Sequence, residues 1–442
     1  MDQKGKKVHF IGIGGIGMSA LAQYFADQGV LVTGSDRDAS PVTELLEQKG
    51  IEVTIGQKAE NVPADAGMVV YSDAVAEGSE GYVERLHAQE LGIPELSYFK
   101  MLGQVSLGKR TVAVAGTHGK TTTTGMLAKI LRDAGASPAA IVGSLVRDFG
   151  SNYLHGDSDL LVVEACEYRD HLLELSPQVL VLTNVEWDHT DWFPSLQALQ
   201  ATFRRAIEHV PADGAIITDP HHPNIAPLLR QGYAGQARVV DYTREPMYSL
   251  SLPGEFNQNN ARAAAAAARS VLPAITDVQI ASSLADFHGT WRRFEYKGKT
   301  SRGAEVYDDY AHHPTAVRET LKALRAKVTG PSTGSGQGKI FIAFHPHLYS
   351  RTRDLLDDFA TAFAGADDVL VAPIYAAREI DDGSISSAIL AKRISENGVP
   401  ARAATFDEIE KILSSEPGAG DTIMTMGAGD IYQVADRLVV EK

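Results

Sequence analysis

The chain has 442 residues, 44% of them hydrophobic and 22% charged. That is the make-up of a globular protein too long for one ordinary core, so two or three domains are expected. A formal charge of −15 argues against a nonspecific nucleic-acid or anionic-membrane binder, although glycine loops and arginines can still hold anions locally.

A single cysteine, Cys166, rules out an internal disulfide and fits a reducing compartment. Lys4, Lys6 and Lys7 ahead of an apolar run imitate a signal peptide, but glycines at 12, 14, 15 and 17 break the helix such a segment needs. No stretch is long and apolar enough to span a bilayer, and the cytoplasm is the expected location.

Val8 to Ile11 reads as a strand, followed by Gly12-Ile13-Gly14-Gly15-Ile16-Gly17 and a helix from Met18 to Phe25. The G-x-G-x-x-G spacing lets a backbone approach a pyrophosphate, whether of a dinucleotide or of a nucleotide sugar. Val30 to Asp36 reads as a second strand, and Asp36 falls where a ribose-binding carboxylate is expected. Further strands are expected at Val53 to Ile55 and Met68 to Tyr71, with Ser72 at the C-terminal end where ligands of open α/β sheets sit.

The dominant motif comes next. Thr111 to Ala115 is an apolar strand, Gly116-Thr117-His118-Gly119-Lys120-Thr121-Thr122 a glycine turn, and Gly125 to Leu131 has apolar residues at helical spacing. Strand, turn and helix in that order form a phosphate-binding loop, two residues shorter than the G-x-x-x-x-G-K-[ST] form. Lys120 is expected to reach the outer phosphates and the Thr121 hydroxyl to ligate Mg²⁺. Two more strands, Asp159 to Glu164 and Val179 to Asn184, end in polar residues on the same edge. Glu164 and His189 are therefore candidate metal ligands, or else a buried hydrogen-bonded Glu and His. Cys166 reads as a small buried residue. An alanine-rich helix from Asn257 to Arg269 opens on asparagines; Asn257 and Asn260 suit helix capping or an adenine edge. Arg293, flanked by aromatics, is a candidate phosphate contact.

The last third repeats the α/β pattern with strands at Glu305 to Asp309, Lys339 to Phe344, Val369 to Pro373 and Thr422 to Met426, and a helix from Ala316 to Lys327. Thr329 to Gly338 is a Gly/Ser/Thr/Pro-rich loop. His312 and His313 are adjacent and cannot easily face one ion, so hydrogen bonding to substrate is favoured. His347 and Arg351 are spaced to share a helix face, where a cation suits a carboxylate or phosphate.

These segments together resemble the Mur ligases of peptidoglycan synthesis, most closely the alanine-adding branch, nearly end to end. The resemblance rests on Gly12 to Ser19, Ala115 to Thr122, Asp308-Asp309-Tyr310-Ala311-His312-His313-Pro314-Thr315, His345 to Arg353 and Gly427-Ala428-Gly429-Asp430. It implies an α/β protein of three domains: a Rossmann-like UDP-sugar-binding domain (1–107), a central ATP-binding domain with a P-loop ATPase-type parallel sheet (108–295), and a C-terminal Rossmann-like amino-acid-binding domain (296–442). It implies the reaction of ATP, UDP-N-acetylmuramate and L-alanine through an acyl phosphate, with ATP and two Mg²⁺ ions, Mn²⁺ being an accepted substitute. Partners are then small molecules only, with neither nucleic acid nor membrane, and the chain a monomer or homodimer.

Carried over by residue, Gly12, Gly14, Gly15, Gly17, Met18, Ser19, Asp36 and Ser72 bind the UDP-sugar. Gly116, Thr117, His118, Gly119, Lys120, Thr121, Thr122, Asn257, Asn260, Arg293 and Asp309 bind ATP. Thr121, Glu164 and His189 hold metal, with Lys120, Glu164 and His189 the catalytic set, and Tyr310, His312, His347 and Arg351 serve the amino acid. The chain departs from the family pattern at Phe256, where His is usual, and at Leu348, where many relatives carry Arg and a carboxylate clamp is lost. It has no lysine between Lys129 and Lys297 to serve as the carbamylated lysine of several other branches, which agrees with the alanine-adding one. The rivals are a recycling ligase that attaches a tripeptide to the same UDP-sugar, a folylpolyglutamate-synthase-like ligase, a nicotinamide-dependent oxidoreductase and a noncatalytic UDP-sugar binder.

Overall fold

The computed structural model describes residues 6–230, 236–329 and 338–440. Lys4 and the interior of the Thr329 to Gly338 loop lie outside them. The described residues form three sheets in two compact units. One unit comprises Met1–Val185, Gln200–Ser249 and Asn259–His288, the other Glu186–Leu199, Leu250–Gln258 and Gly289–Lys442.

The first unit carries two sheets. Strands β1 (Lys7–Ile11), β2 (Leu31–Asp36), β3 (Glu52–Ile55), β4 (Met68–Tyr71) and β5 (Glu95–Ser97) lie in the order β3-β2-β1-β4-β5. All the pairs are parallel. Reversal of the order at β1 makes a switch point, where the carboxyl ends of neighbouring strands part and leave a crevice. Ile11 stands level with Ser35 and Tyr71, which brings the glycine turn, Asp36 and Ser72 to one edge.

The second sheet has the strands β6 (Arg110–Ala115), β7 (Ala139–Val146), β8 (Ser151–Leu154), β9 (Leu160–Glu164), β10 (Val179–Leu182), β11 (Ala215–Thr218) and β12 (Arg238–Asp241). Their order is β12-β11-β10-β6-β9-β7-β8. Central β6 has Ala115 level with Leu182 and Val114 level with Glu164. Residues 112–115, 160–163 and 179–182 are buried, as a parallel sheet covered on both faces requires. The hairpin of β7 and β8, antiparallel with a register shift between Ile141 and Val146, was not legible in the sequence pattern.

The other unit holds β13 (Glu295–Lys299), β14 (Glu305–Asp309), β15 (Ile340–Phe344), β16 (Asp368–Val371), β17 (Ala401–Ala403) and β18 (Thr422–Met426), in the order β13-β14-β18-β15-β16-β17. Only the edge strand β13 runs antiparallel. Alternate residues of the central strands pack on opposite faces. Ile342, Phe344, Met424 and Met426 join the helix side lined by Val317, Leu321 and Phe359. Phe341, Ala343 and Ile423 join Ile409, Leu413 and Val434.

Candidate active site

The phosphate loop sits in the first unit, between β6 and the helix Lys120–Asp133. Gly116 has φ 124° and Gly119 φ 81°, conformations that disfavour any residue with a Cβ. Both are also sterically enclosed: a Cβ at Gly116 would overlap the Thr183 hydroxyl, and one at Gly119 the Asn260 side-chain oxygen. The turn is tied to the end of β10. Thr117 N–H donates to the Asn184 carbonyl (3.1 Å), and His118 N–H to the Asn184 side-chain oxygen (2.9 Å). Thr183 Oγ1 and Asn184 Nδ2 donate to the His118 carbonyl (2.6 and 3.1 Å). The rigid frame aims the N-terminus of the helix, the positive end of its dipole, along the sheet edge. Thr122 is buried within that helix.

Glu164, at the end of β9, meets this loop as expected. Thr121 Oγ1 donates to Glu164 Oε1 (3.0 Å), and Gly143 N–H to Oε2 (2.8 Å). Gly143 is needed there, since a Cβ would collide with the Glu164 carboxylate. A hydroxyl and a carboxylate side by side are the hard oxygen donors that Mg²⁺ or Mn²⁺ prefers, so these residues fit a divalent cation. His189, the third expected ligand, belongs to the other unit. It has φ 51°, and its backbone N–H donates to Asp188 Oδ1 (2.6 Å).

The sequence reading missed Glu167. Its buried carboxylate receives Lys120 Nζ on both oxygens (3.0 and 3.0 Å), and the same ammonium also donates to the carbonyls of Gly116 (2.6 Å) and Thr117 (3.2 Å). Lys120 was expected to extend towards phosphate; here it is folded back on its own loop, because the loop carbonyls and Glu167 together satisfy its charge. Burial works against the ammonium, but Glu167, Cys166 and Glu164 outweigh it and hold its pKa above the usual value. Cys166 is half-buried rather than buried, and desolvation with Glu167 beside it pushes the thiol up to about 12.

At the first sheet, Gly12 has φ 80° and the Gly14 N–H donates to Asp36 Oδ2 (2.8 Å), so Asp36 closes the glycine turn. Cβ atoms at Gly14 and Gly17 would collide with Asp36 and with the ring of Tyr98, whereas Gly15 has more room. Ser72 Oγ accepts the Ala74 N–H at 3.3 Å. Met18 and Ser19 are buried; the Ser19 hydroxyl donates to the Ile16 carbonyl and accepts from Asn152 (3.0 and 2.8 Å), which locks the helix Ile16–Asp27 to β8.

In the second unit Asp188 and Arg351 form a buried ion pair, Nε to Oδ1 2.7 Å. Burial pushes the Asp188 carboxyl up, but Arg351, His189, His313 and His312 hold it well below the usual range. Arg351 was expected on a helix face shared with His347, its charge open to substrate. The helix is only Tyr349–Asp354, and Leu348, at φ 71°, turns the chain ahead of it. His347 lies outside the helix, yet its Nδ1 stands 3.0 Å from Arg351 Nη1. The guanidinium charge is already matched by Asp188. Burial, then Arg351, lowers His347 to about 3, and the same two causes lower His312 well below its ordinary value. His312 Nδ1 lies 2.9 Å from the Tyr310 carbonyl. His313 was expected to face substrate; instead it caps the helix Pro314–Val328 through Thr315 N–H and contacts the Trp187 carbonyl (3.1 Å), so its ring nitrogens serve the fold.

Of the arginine pair, Arg292 is the buried one, bound to Asp308 (2.8 Å) and to the carbonyls of Gly429 (2.9 Å) and Gly427 (2.6 Å). Arg293 instead lies over the Tyr310 ring, 5.0 Å from its centroid. Asp309 accepts the N–H groups of Phe294 and Ala311 (2.7 and 2.8 Å), and burial raises it to about 6. Asn257 donates to the Pro253 carbonyl (2.7 Å); Asn260 belongs to the first unit and packs there on Gly119 of the same unit. Leu348 is buried.

Comparison with known proteins bears on the family and the fold. Residues 7–110 match the catalytic domain of the Mur ligase family, 114–248 the Mur ligase middle domain and 292–429 the Mur ligase glutamate ligase domain. The chain is 36% identical over 460 residues to the UDP-N-acetylmuramate–L-alanine ligase of Clostridium kluyveri, covering 98% of each. It is also 36% identical to the enzyme of that name from Acetivibrio thermocellus, covering 99% of this chain and 97% of that one. Its fold is similar to the crystal structure of UDP-N-acetylmuramate-alanine ligase from Thermotoga maritima, with a TM-score of 0.76, 26% identity and 98% of both chains covered. With the phosphate loop, its acidic partners and all three domains accounted for, the chain belongs to the Mur ligase family.

Proposed function

We propose that the protein joins L-alanine to the lactyl carboxylate of UDP-N-acetylmuramate at the expense of ATP. The observation that carries this reading is the end-to-end similarity to enzymes of that name, which spans all three sheets. The chemistry is consistent with the residues present. A carboxylate is a poor acyl donor until phosphorylated; the lactyl oxygen takes the γ-phosphoryl group, ADP leaves, and alanine's amine then attacks the acyl phosphate and expels phosphate. Two anions must meet in the first step, and Lys120 neutralises the charge between them.

Thr121 and Glu164 hold one Mg²⁺ and His189 a second, with Mn²⁺ able to substitute; a divalent cation there supplies charge neutralisation at the phosphates. The glycine turn with Asp36 and Ser72 takes the UDP-sugar. Asn257, Asn260, Arg293 and Asp309 take ATP, and Tyr310, His312, His347 and Arg351 the amino acid. The domains run 1–107, 108–295 and 296–442, and the reaction takes place in the cytoplasm. Among the described residues no helix is long and apolar enough to cross a membrane.

Phosphate release with ATP and UDP-N-acetylmuramate, comparing L-alanine, glycine, L-serine and a peptidoglycan tripeptide, tests the substrate. L-Alanine is expected to be preferred; preference for the tripeptide would make this the recycling ligase. Lys120→Ala is expected to abolish phosphate release while UDP-sugar binding is kept, and turnover within a few-fold of the parent would remove Lys120 from the chemistry.

A further inference from the structure

We propose that Glu167 is the positioning residue of Lys120, a buried carboxylate that holds the ammonium on its own loop and that an incoming triphosphate must displace. The inference rests on the reading of this loop as the ATP site. An ammonium has three N–H groups. Four acceptors surround that of Lys120: both Glu167 oxygens and the carbonyls of Gly116 and Thr117. Contact with a phosphate therefore requires exchange of at least one of these bonds. Lys120 is 16% exposed and Glu167 1%, so the pair is little screened by water.

The placement follows from the chain. β9 ends at Glu164, the next residues turn, and Glu164 and Glu167 address the consecutive residues Thr121 and Lys120. The first carboxylate serves the cation site, the second the lysine. When Lys120 turns to a phosphate, Glu167 is left as a fixed negative charge beside a polyanion. Nucleotide affinity is then reduced by the fraction of molecules in which Lys120 is not released from Glu167. The loop is kept electrically balanced without nucleotide, at the cost of weaker binding.

The test is titration of the full-length protein with a nonhydrolysable ATP analogue and Mg²⁺. Glu167→Gln, which keeps the shape and removes the charge, is expected to bind the analogue about tenfold tighter and to lower KM for ATP without moving KM for the UDP-sugar. A merely structural role would weaken every ligand together. Should Glu167→Gln not fold, as judged by urea unfolding, Glu167→Asp, whose shorter side chain reaches the ammonium less closely, carries the same titration and is expected to bind the analogue more tightly than the parent by a smaller factor. Equal or weaker analogue affinity overturns the proposal. If the parent protein does not bind the analogue, it is the ATP reading that fails.

Discussion

Removal of Arg351 should cost more than its one ion pair, because it strands a buried charge. At 2.7 Å from Asp188, the gross attraction is about 6 kcal/mol at an effective dielectric of about 20. The net value is far smaller, since both ions were taken out of water. Arg351→Met, however, leaves Asp188 buried and uncompensated, for which about 3–5 kcal/mol is the expected loss. The paired change Asp188→Asn/Arg351→Met removes both charges and leaves a side-chain oxygen for the His189 N–H. It should recover most of that loss, ending within about 2 kcal/mol of the parent. All three tryptophans, Trp187, Trp192 and Trp291, lie in the same unit as the pair, so their fluorescence reports its urea unfolding directly. Arg351→Met within about 1 kcal/mol of the parent, or a double variant whose loss equals the sum of the single ones, would refute the reasoning.

Three further outcomes are expected. Burial holds His345 near 4 and His347 near 3, against about 6.5 in the unfolded chain. The unfolded state therefore binds more protons below pH 6.5, and the stability these groups contribute is complete above that pH and lost as it falls. His347→Gln should flatten the stability–pH slope between pH 6 and 4.5 by about 1.4 kcal/mol per pH unit, and an unchanged slope in urea unfolding would count against a neutral His347. Gly119→Ala forces a Cβ into a φ of 81° and against Asn260; it should destabilise the loop by about 1–3 kcal/mol and abolish saturable nucleotide binding by calorimetry. The Cys166 thiol, pushed up to about 12, should react with a disulfide reagent at pH 8 far more slowly in the folded protein than in urea; equal rates would show it accessible and ionised.

Where the elements lie was legible from local chemistry. Apolar runs located β1, β6, β9, β10, β14, β15 and β18, and the two glycine turns follow from the need for positive φ and close approach at Gly12, Gly116 and Gly119. Such signals reside within about ten neighbouring residues and survive without knowledge of the fold. The family resemblance, too, rested on contiguous motifs.

Which charges are already spent was decided only by tertiary structure. Glu167 and Asp188 drew no reading from the sequence because their partners stand 47 and 163 residues away. The spacing of His347 and Arg351 suggested a helix face, and the contact is real, but a turn at Leu348 makes it. Nothing in the dipeptide Arg292-Arg293 says which guanidinium is buried; the carbonyls of Gly427 and Gly429 select Arg292. A sequence determines which groups a segment offers, whereas long-range packing fixes their solvation and partners, and those set the charge and reach with which each group can act.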